Sequence, residues 1–225
     1  MGSFFKNRVA VWLSTALVTV AILSPVACTH RAVHPETPLS LPAVTPWTPA
    51  SYRSFISENI ALMDLIYSDE YIDYPFTVEV ENGSISIQQL IDVKAVQTVA
   101  HKILAAEKNS RQILNAARQY VATMTLYQVH PYTWPTVPET LKTGKADCKG
   151  RSLLLLSLLL ATGQEAYAAI GNGHVWVVMQ IEGRWQTIET DPDPERLKVY
   201  CIPGFYDRPL YKIFADKTVK RRRRQ

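Results

Sequence analysis

The sequence predicts an α+β domain in which one buried helix packs on an antiparallel sheet. Three observations in the second half of the chain carry this prediction. An apolar run from Leu153 to Leu160 closes at a Thr-Gly pair, which indicates a buried helix. Strand-forming runs follow at Ala166 to Ile170 and His174 to Ile181. A Glu182-Gly183 turn leads into a third run, Arg184 to Thr190, so the last two strands are predicted to form a hairpin.

Cys148 stands at the start of the predicted helix. The first turn of a helix has backbone N–H groups without intrahelical acceptors and the positive end of the helix dipole, and both favour a thiolate over a thiol. We therefore interpret Cys148 as a nucleophile. Alone, a cysteine is more often a small buried apolar residue, so this interpretation depends on its partners.

The predicted hairpin supplies those partners. His174 begins its first strand, and pairing across the turn sets Ile181 beside Arg184 and His174 near residue 191. Glu189 and Asp191 are then both within reach of the imidazole. An imidazole can take the thiol proton while a carboxylate fixes the imidazole tautomer. The sequence therefore predicts a Cys-His-acid site, with the acid open between the two carboxylates.

These residues belong to a longer pattern. It consists of Gly144-x-x-Asp147-Cys148, a leucine-rich helix ending in Ala-Thr-Gly, Gly173-His174-Val175-Trp176-Val177, and Trp185-x-x-x-Glu189. Over roughly residues 110 to 195 it resembles the transglutaminase-like superfamily of papain-type domains. The resemblance implies a papain-like core, with the catalytic cysteine at the N-terminus of a buried helix on an antiparallel sheet and further helices ahead of it. It also implies a triad of Cys148, His174 and Glu189. Many members have Asp at the acid position, which keeps Asp191 as the rival.

Papain-type sites need donors for the oxyanion of the acyl intermediate. The backbone N–H of Cys148 is one candidate. Trp134 or Tyr132, from the aromatic and proline-rich loop ahead of the helix, is a second, although large aromatic side chains more often simply bury area. No cofactor and no metal site are predicted. The other candidate ligands lack metal-ligand spacing: His101, His130 and Cys201.

The N-terminal 50 residues are predicted to lie outside the folded domain. Residues 1–28 have two basic residues followed by an apolar run, as in a secretory signal peptide. Val26-Ala27-Cys28 resembles the lipobox of bacterial lipoproteins, which implies lipidation of Cys28. Simple cleavage and an uncleaved anchor remain alternatives. Residues 29–50 contain five prolines and form a predicted tether.

The single predicted domain spans 51–215, with its core at about 110–195. The expected elements before the core are an amphipathic helix, Tyr52 to Tyr67; a hairpin turning at Asn82-Gly83; and two helices, Asp92 to Glu107 and Ser110 to Leu126, the latter capped by Ser110. Cys201 could form a disulfide with Cys148, but we favour a free thiol there.

The formal charge of +4 comes from the ends of the chain. Of 24 basic residues, two lie in the leader and six in the tail 216–225, which leaves 16 basic residues against 19 acidic ones outside the leader and the tail. The folded body is therefore mildly acidic, and the basic tail is predicted to be disordered and attracted to anionic lipid. Nucleic-acid binding is not expected, because basic and aromatic residues are not interleaved in the body.

Together these features predict a thiol hydrolase, a cysteine peptidase or amidase of the bacterial cell envelope, that faces the periplasm as a lipoprotein. Its expected partners are a membrane, through the N-terminal lipid or signal anchor, and a protein or peptide substrate near it, cell-wall peptide included. A monomer is expected. Two alternatives remain open: an acyl transferase that uses an amine acceptor, and a non-catalytic binding or assembly module with the same fold.

Overall fold

The computed structural model describes residues 49–171, 173–191, 205–216 and 218–225. Pro46–Gln225 group into one compact unit. The predicted signal peptide 1–28 with Cys28, the tether up to residue 48, and Cys201 lie outside the described residues. The last two residues of the predicted tether instead belong to the first helix, which begins at Pro49.

The described residues form five α-helices and ten strands. The helices are α1 Pro49–Ile66, α2 Gln97–Ala106, α3 Ser110–Met124, α4 Val137–Thr143 and α5 Cys148–Ala161, with a 3-10 helix at Ile87–Leu90. The strands are β1 Tyr67–Asp73, β2 Thr77–Val80, β3 Gly83–Ser86, β4 Leu126–Tyr127, β5 Lys145–Ala146, β6 Ala166–Gly171, β7 His174–Ile181, β8 Arg184–Ile188, β9 Tyr211–Phe214 and β10 Val219–Arg224.

The main sheet has six strands in the order β1-β10-β9-β6-β7-β8, and every neighbouring pair is antiparallel. Helix α5 packs on β6 and β7, with α2, α3 and α4 on its other sides. The predicted α+β class, with a buried helix on an antiparallel sheet, is therefore confirmed. The hairpin predicted at Asn82-Gly83 is also confirmed, as the pair β2 and β3.

Helix α5 is the centre of the core. Its residues from Gly150 to Leu159 are all buried, and six leucines among them are fully inaccessible to solvent. A helix that is apolar on all sides needs cover on all sides, which the surrounding helices and the sheet supply. Burial of this leucine run fixes where Cys148, the first residue of α5, meets the sheet.

Strand β7 is buried on both faces. Val177, Met179 and Ile181 belong to the core around α5. The other face carries Trp176 and Val178, which pack in a second cluster with Phe205. The alternation of side chains along the strand places residue 174 on this second face.

The prediction of a disordered basic tail at 216–225 is wrong. Val219–Arg224 form β10, which pairs with β1 on one side and β9 on the other. Arg222 is only 3% exposed. Its guanidinium donates to the carbonyl oxygens of Tyr67 and Ser68, each at 2.9 Å, and to Asp64 Oδ1 at 3.2 Å. Backbone pairing on two sides and the hydrogen bonds of one buried guanidinium thus order a segment whose composition is that of a solvated tail.

Smaller differences concern element ends. The N-cap of α3 is Asn109, whose side chain accepts from Gln112 N, and not Ser110. Helix α2 begins at Gln97 instead of Asp92, and β8 ends at Ile188, two residues early. None of the helices within the described ranges is long and apolar enough to cross a membrane.

Candidate active site

The nucleophile candidate Cys148 is the first residue of α5, as predicted. The N-cap is Asp147, whose Oδ1 accepts from the N–H of Lys149 at 3.0 Å and of Gly150 at 3.3 Å. Cys148 is a partly exposed free thiol. The N–H of a residue at this position has no intrahelical acceptor. It can therefore donate to the oxyanion that forms on a carbonyl oxygen when the sulfur attacks the carbonyl carbon.

His174 is fixed at the first position of β7. It is 2% exposed and pairs with Gly171 across a tight connection in which Gly173 adopts a φ of 72°. Its ring stacks on Trp176, with centroids 5.9 Å apart and planes 17° apart. Phe205 packs against it at 6.1 Å. The imidazole is thus held between aromatic rings with its nitrogens at the end of the sheet.

The carboxylate of Glu189 binds His174. Glu189 Oε1 lies 2.9 Å and Oε2 3.2 Å from His174 Nε2. The recorded ladder of β7 and β8 runs from Ile181 opposite Arg184 to Val177 opposite Ile188. Continued outward, this register sets residue 189 diagonally across from His174, where a glutamate side chain is long enough to reach.

The rival acid, Asp191, is also buried, at 5% exposure. The same register would set it directly opposite His174, which is why residue counting alone leaves both acids open. The described hydrogen bond joins the imidazole to Glu189, whose carboxylate accepts it. Asp191 lines a cavity of about 310 Å³ together with Glu189 and Arg151.

His174 also hydrogen bonds to the Cys148 side chain. Because Glu189 occupies Nε2, the nitrogen left for the thiol is Nδ1. Burial by itself lowers the pKa of His174. Its hydrogen bonds with Cys148 and Glu189 have the opposite effect, as has the negative charge of both groups. Together they outweigh burial and raise the pKa of His174 to about 9. At neutral pH the imidazolium form is favoured, and an imidazolium beside sulfur stabilises a thiolate.

The two predicted side-chain donors for the oxyanion differ in position. Tyr132 is 88% exposed. Trp134 is half-buried, packs against the core, and has Lys149 Nζ 5.9 Å from its ring centroid. Across the described ranges, no three His, Cys, Asp or Glu side chains are grouped as metal ligands.

Sequence reasoning missed the contacts made by the two chain neighbours of Cys148. Asp147 Oδ2 accepts from Lys149 Nζ at 2.6 Å and from His130 N at 3.1 Å, and Lys149 Nζ also donates to His130 O at 2.6 Å. Asp147 is 2% exposed. An aspartate immediately before an apolar helix is an N-cap signal, which could have identified Asp147. Nothing in the pattern pointed to a contact with His130.

No family model matches this sequence, and no curated protein is significantly similar to it. Among solved structures, a candidate cysteine protease from Cytophaga hutchinsonii is 14% identical over 60% of this chain and 43% of its own, with a TM-score of 0.39. A candidate protease from Parabacteroides distasonis is 13% identical over 64% and 27%, with a TM-score of 0.38. A transglutaminase is 16% identical over 61% and 48%, with a TM-score of 0.38.

The chain thus spans less than half the length of each of these three structures.

Proposed function

We propose that this protein is a thiol hydrolase, a cysteine peptidase or amidase, in which Cys148 is the nucleophile, His174 the acid and base, and Glu189 the orienting carboxylate. The observation that carries the proposal is that one buried imidazole hydrogen bonds to both the Cys148 side chain and the Glu189 carboxylate. A histidine that only fills space in the core requires neither contact with a thiol nor a raised pKa.

In the acylation step, the Cys148 thiolate attacks the carbonyl carbon of an amide, and a carbon–sulfur bond forms. The carbonyl oxygen becomes an oxyanion, to which the Cys148 N–H can donate. As the carbon–nitrogen bond breaks, the imidazolium of His174 gives its proton to the leaving amine. The products of this step are a thioester on Cys148 and a free amine.

In the second step, neutral His174 takes a proton from water, and the hydroxide attacks the thioester carbonyl. The carbon–sulfur bond breaks and releases a carboxylic acid, which regenerates the thiolate and the imidazolium. Through both steps the Glu189 carboxylate keeps Nε2 protonated and Nδ1 directed at sulfur.

We place this activity in the bacterial cell envelope, with the protein facing the periplasm as a lipoprotein modified at Cys28 and its substrate a protein or cell-wall peptide near the membrane. The leader pattern of residues 1–28 and the proline-rich segment after it support this location.

The activity is tested with Cys148→Ala and with an alkylating reagent. We expect Cys148→Ala to fold normally and to lose all amide hydrolysis, and we expect iodoacetamide to label Cys148 of the wild type faster than the same cysteine in denatured protein. Full amidase activity in Cys148→Ala would refute the proposal. Labelling at only the denatured rate would favour a non-catalytic binding module.

A primary-amine probe separates hydrolysis from acyl transfer, because both pass through the same thioester. Amine incorporation in place of acid release would assign the protein as a transferase.

A further inference from the structure

Ser152 of α5 contacts both strand ends of the β7–β8 hairpin through its hydroxyl. It follows Cys148 by four residues, so the two side chains share one face of the helix. Ser152 is completely buried. Its Oγ lies 3.0 Å from the carbonyl oxygen of Val175 and 3.2 Å from Thr190 Oγ1. In the chain, Val175 directly follows the proposed base and Thr190 directly follows the proposed orienting acid.

The chemistry of these groups sets the direction of both hydrogen bonds. A carbonyl oxygen can only accept, so the single proton of the Ser152 hydroxyl goes to Val175. The Thr190 hydroxyl is then the donor to Ser152 Oγ. Two hydrogen bonds in series therefore run from Thr190 through Ser152 to Val175, and they join the two strand ends by way of α5.

This link lies beyond the last paired residues of the hairpin. Strand β8 ends at Ile188, which pairs with Val177 of β7. Continued outward by two residues, the same register sets Thr190 opposite Val175. Ser152 therefore joins two residues that would face each other if the ladder went on, at the end of the hairpin that carries the proposed base and acid.

Arg151, the residue before Ser152 in α5, binds the main chain of the same segment. It is 3% exposed. Its guanidinium donates from Nη1 to the carbonyl oxygen of Thr190 at 3.2 Å, and from Nη2 to the carbonyl oxygen of Thr125. The segment after Glu189 is thus attached to α5 twice, once through its backbone and once through the hydroxyl that also reaches β7.

We propose that Ser152 is a positioning residue, whose hydroxyl holds His174 and Glu189 in place relative to each other and to the sulfur of the nucleophile. The imidazole and the carboxylate must keep their contact of 2.9 Å for the triad to work. A displacement of about 1 Å at a reacting group can cost about 100-fold in rate. The inference rests on the proposed function, since Ser152 acts through the triad and does not touch substrate.

Alkylation of Cys148 by iodoacetamide at pH 7 reports on the position of the imidazolium, which stabilises the thiolate. We expect Ser152→Ala to lower the second-order rate constant about 3- to 10-fold, the value of one hydrogen bond. Ser157→Ala is the matched control, because Ser157 is also completely buried on α5 but accepts from the N–H of Asp92 at 3.1 Å. Both variants should have lower urea midpoints than the wild type, and only Ser152→Ala should react more slowly.

A second pair of variants changes the other hydroxyl. Thr190→Val removes it and should lower the alkylation rate about 2- to 5-fold, whereas Thr190→Ser keeps it and should react like the wild type. The double variant Ser152→Ala/Thr190→Val should be no slower than Ser152→Ala, because the two hydroxyls share one bond. If Ser152→Ala fails to fold, the Thr190 pair decides, since Thr190 is only half-buried.

Three results would overturn the inference. The first is a wild-type rate in Ser152→Ala, or equal rates in Thr190→Val and Thr190→Ser. The second is an equal loss of rate in Ser157→Ala, which would assign the effect to the packing of α5 as a whole. The third is a double variant in which the two single losses multiply, because the hydroxyls would then act independently.

Failure of the proposed function gives a different result. Alkylation of wild-type Cys148 at only the denatured rate would end the hydrolase proposal, yet NMR titration of the His174 ring would still report on its contact with Glu189. We expect Ser152→Ala to lower the pKa of His174 from about 9 toward its ordinary value of 6.5, and Ser157→Ala to leave that pKa in place. An unchanged pKa of His174 in Ser152→Ala would rule out the positioning role even if the enzyme proved active.

Discussion

His174 is the residue on which the proposed chemistry depends, because it is buried and still has a pKa raised to about 9. Burial among Trp176 and Phe205 would keep an isolated imidazole neutral. The thiol on one nitrogen and the carboxylate on the other reverse that effect. The charge state of His174 therefore depends on both partners, and changes to either partner should be visible in how activity varies with pH.

We expect amide hydrolysis to fall as the pH rises through about 9, because His174 loses the proton that it must give to the leaving amine. The stability of the fold should fall over the same pH range as the activity. The raised pKa contributes stability that is complete below the ordinary value of 6.5 and is lost as the pH rises through about 9. A kcat/KM profile between pH 6 and 10.5 measures the effect. Activity still rising at the alkaline end would contradict it.

Glu189→Gln should reduce kcat/KM by between about 10-fold and 10⁴-fold, since an amide neither fixes the tautomer nor stabilises the imidazolium. Loss of the carboxylate also removes a cause of the raised pKa of His174, so the alkaline limb should move to lower pH. Asp191→Asn is the control and should leave that limb in place. The opposite result, a limb moved only by Asp191→Asn, would reassign the orienting acid.

At the scale of single residues, the sequence indicated the candidate nucleophile and base but not the residues that position them. Cys148 and His174 could be predicted from a helix start and a strand start. Residue counting along the hairpin left the orienting carboxylate open between a diagonal Glu189 and an opposite Asp191, and only the family resemblance favoured Glu189. His130 is bound through its backbone to residues 17 and 19 positions away, and such contacts leave no pattern in side-chain chemistry.

At the scale of elements, the first turn of α5 is packed too closely for a side chain at Gly150. A Cβ there would lie 2.7 Å from Pro135 Cγ and 2.9 Å from Ala146 Cβ. Glycine is ordinarily the poorer helix residue, by about 1 kcal/mol against alanine. At this position the absence of a side chain lets the loop before α4 approach the helix that carries Cys148.

We therefore expect Gly150→Ala to destabilise the protein by about 1–3 kcal/mol in spite of its better helix propensity, as measured by urea unfolding. Pro135→Ala in the same chain should recover part of the loss, because it removes the nearest clashing atom. A Gly150→Ala variant as stable as the wild type would mean that the loop before α4 moves away from the added methyl group without a loss of stability.

The helices and strands that could be predicted are those whose apolar residues form dense runs or recur with the period of a helix or a strand. Helix α5 and strands β6 and β7 carry dense apolar runs, and turns that contain glycine separate them from one another and from β8. Strands β1 and β10 carry no such runs, since YSDEYID and VKRRRR are mostly polar. Their order comes from backbone hydrogen bonds to distant strands and from one buried guanidinium, neither of which is visible in local periodicity.

At the scale of the whole molecule, Arg222 joins α1, β1 and β10 through one side chain. We expect Arg222→Met to lower the free energy of unfolding by about 1–3 kcal/mol, because it leaves the Tyr67 and Ser68 carbonyls without their side-chain donor and Asp64 with Arg208 as its remaining partner. Arg224→Met is the matched control at an exposed position and should stay within about 0.5 kcal/mol. Equal effects of the two substitutions in chemical denaturation would show that the buried contacts contribute nothing.

The pairing of β1 with β10 also bears on the order in which the protein folds. It joins residues 155 positions apart, as in the hydrogen bond from Ser68 to Arg223, whereas α5 and β6 to β8 are consecutive in the chain. Closing a long loop costs more entropy than closing a short one, so the local hairpins should form first. A folding intermediate can thus bring Cys148 and His174 together while the edge of β10 that later pairs with β1 is still open to association with other chains.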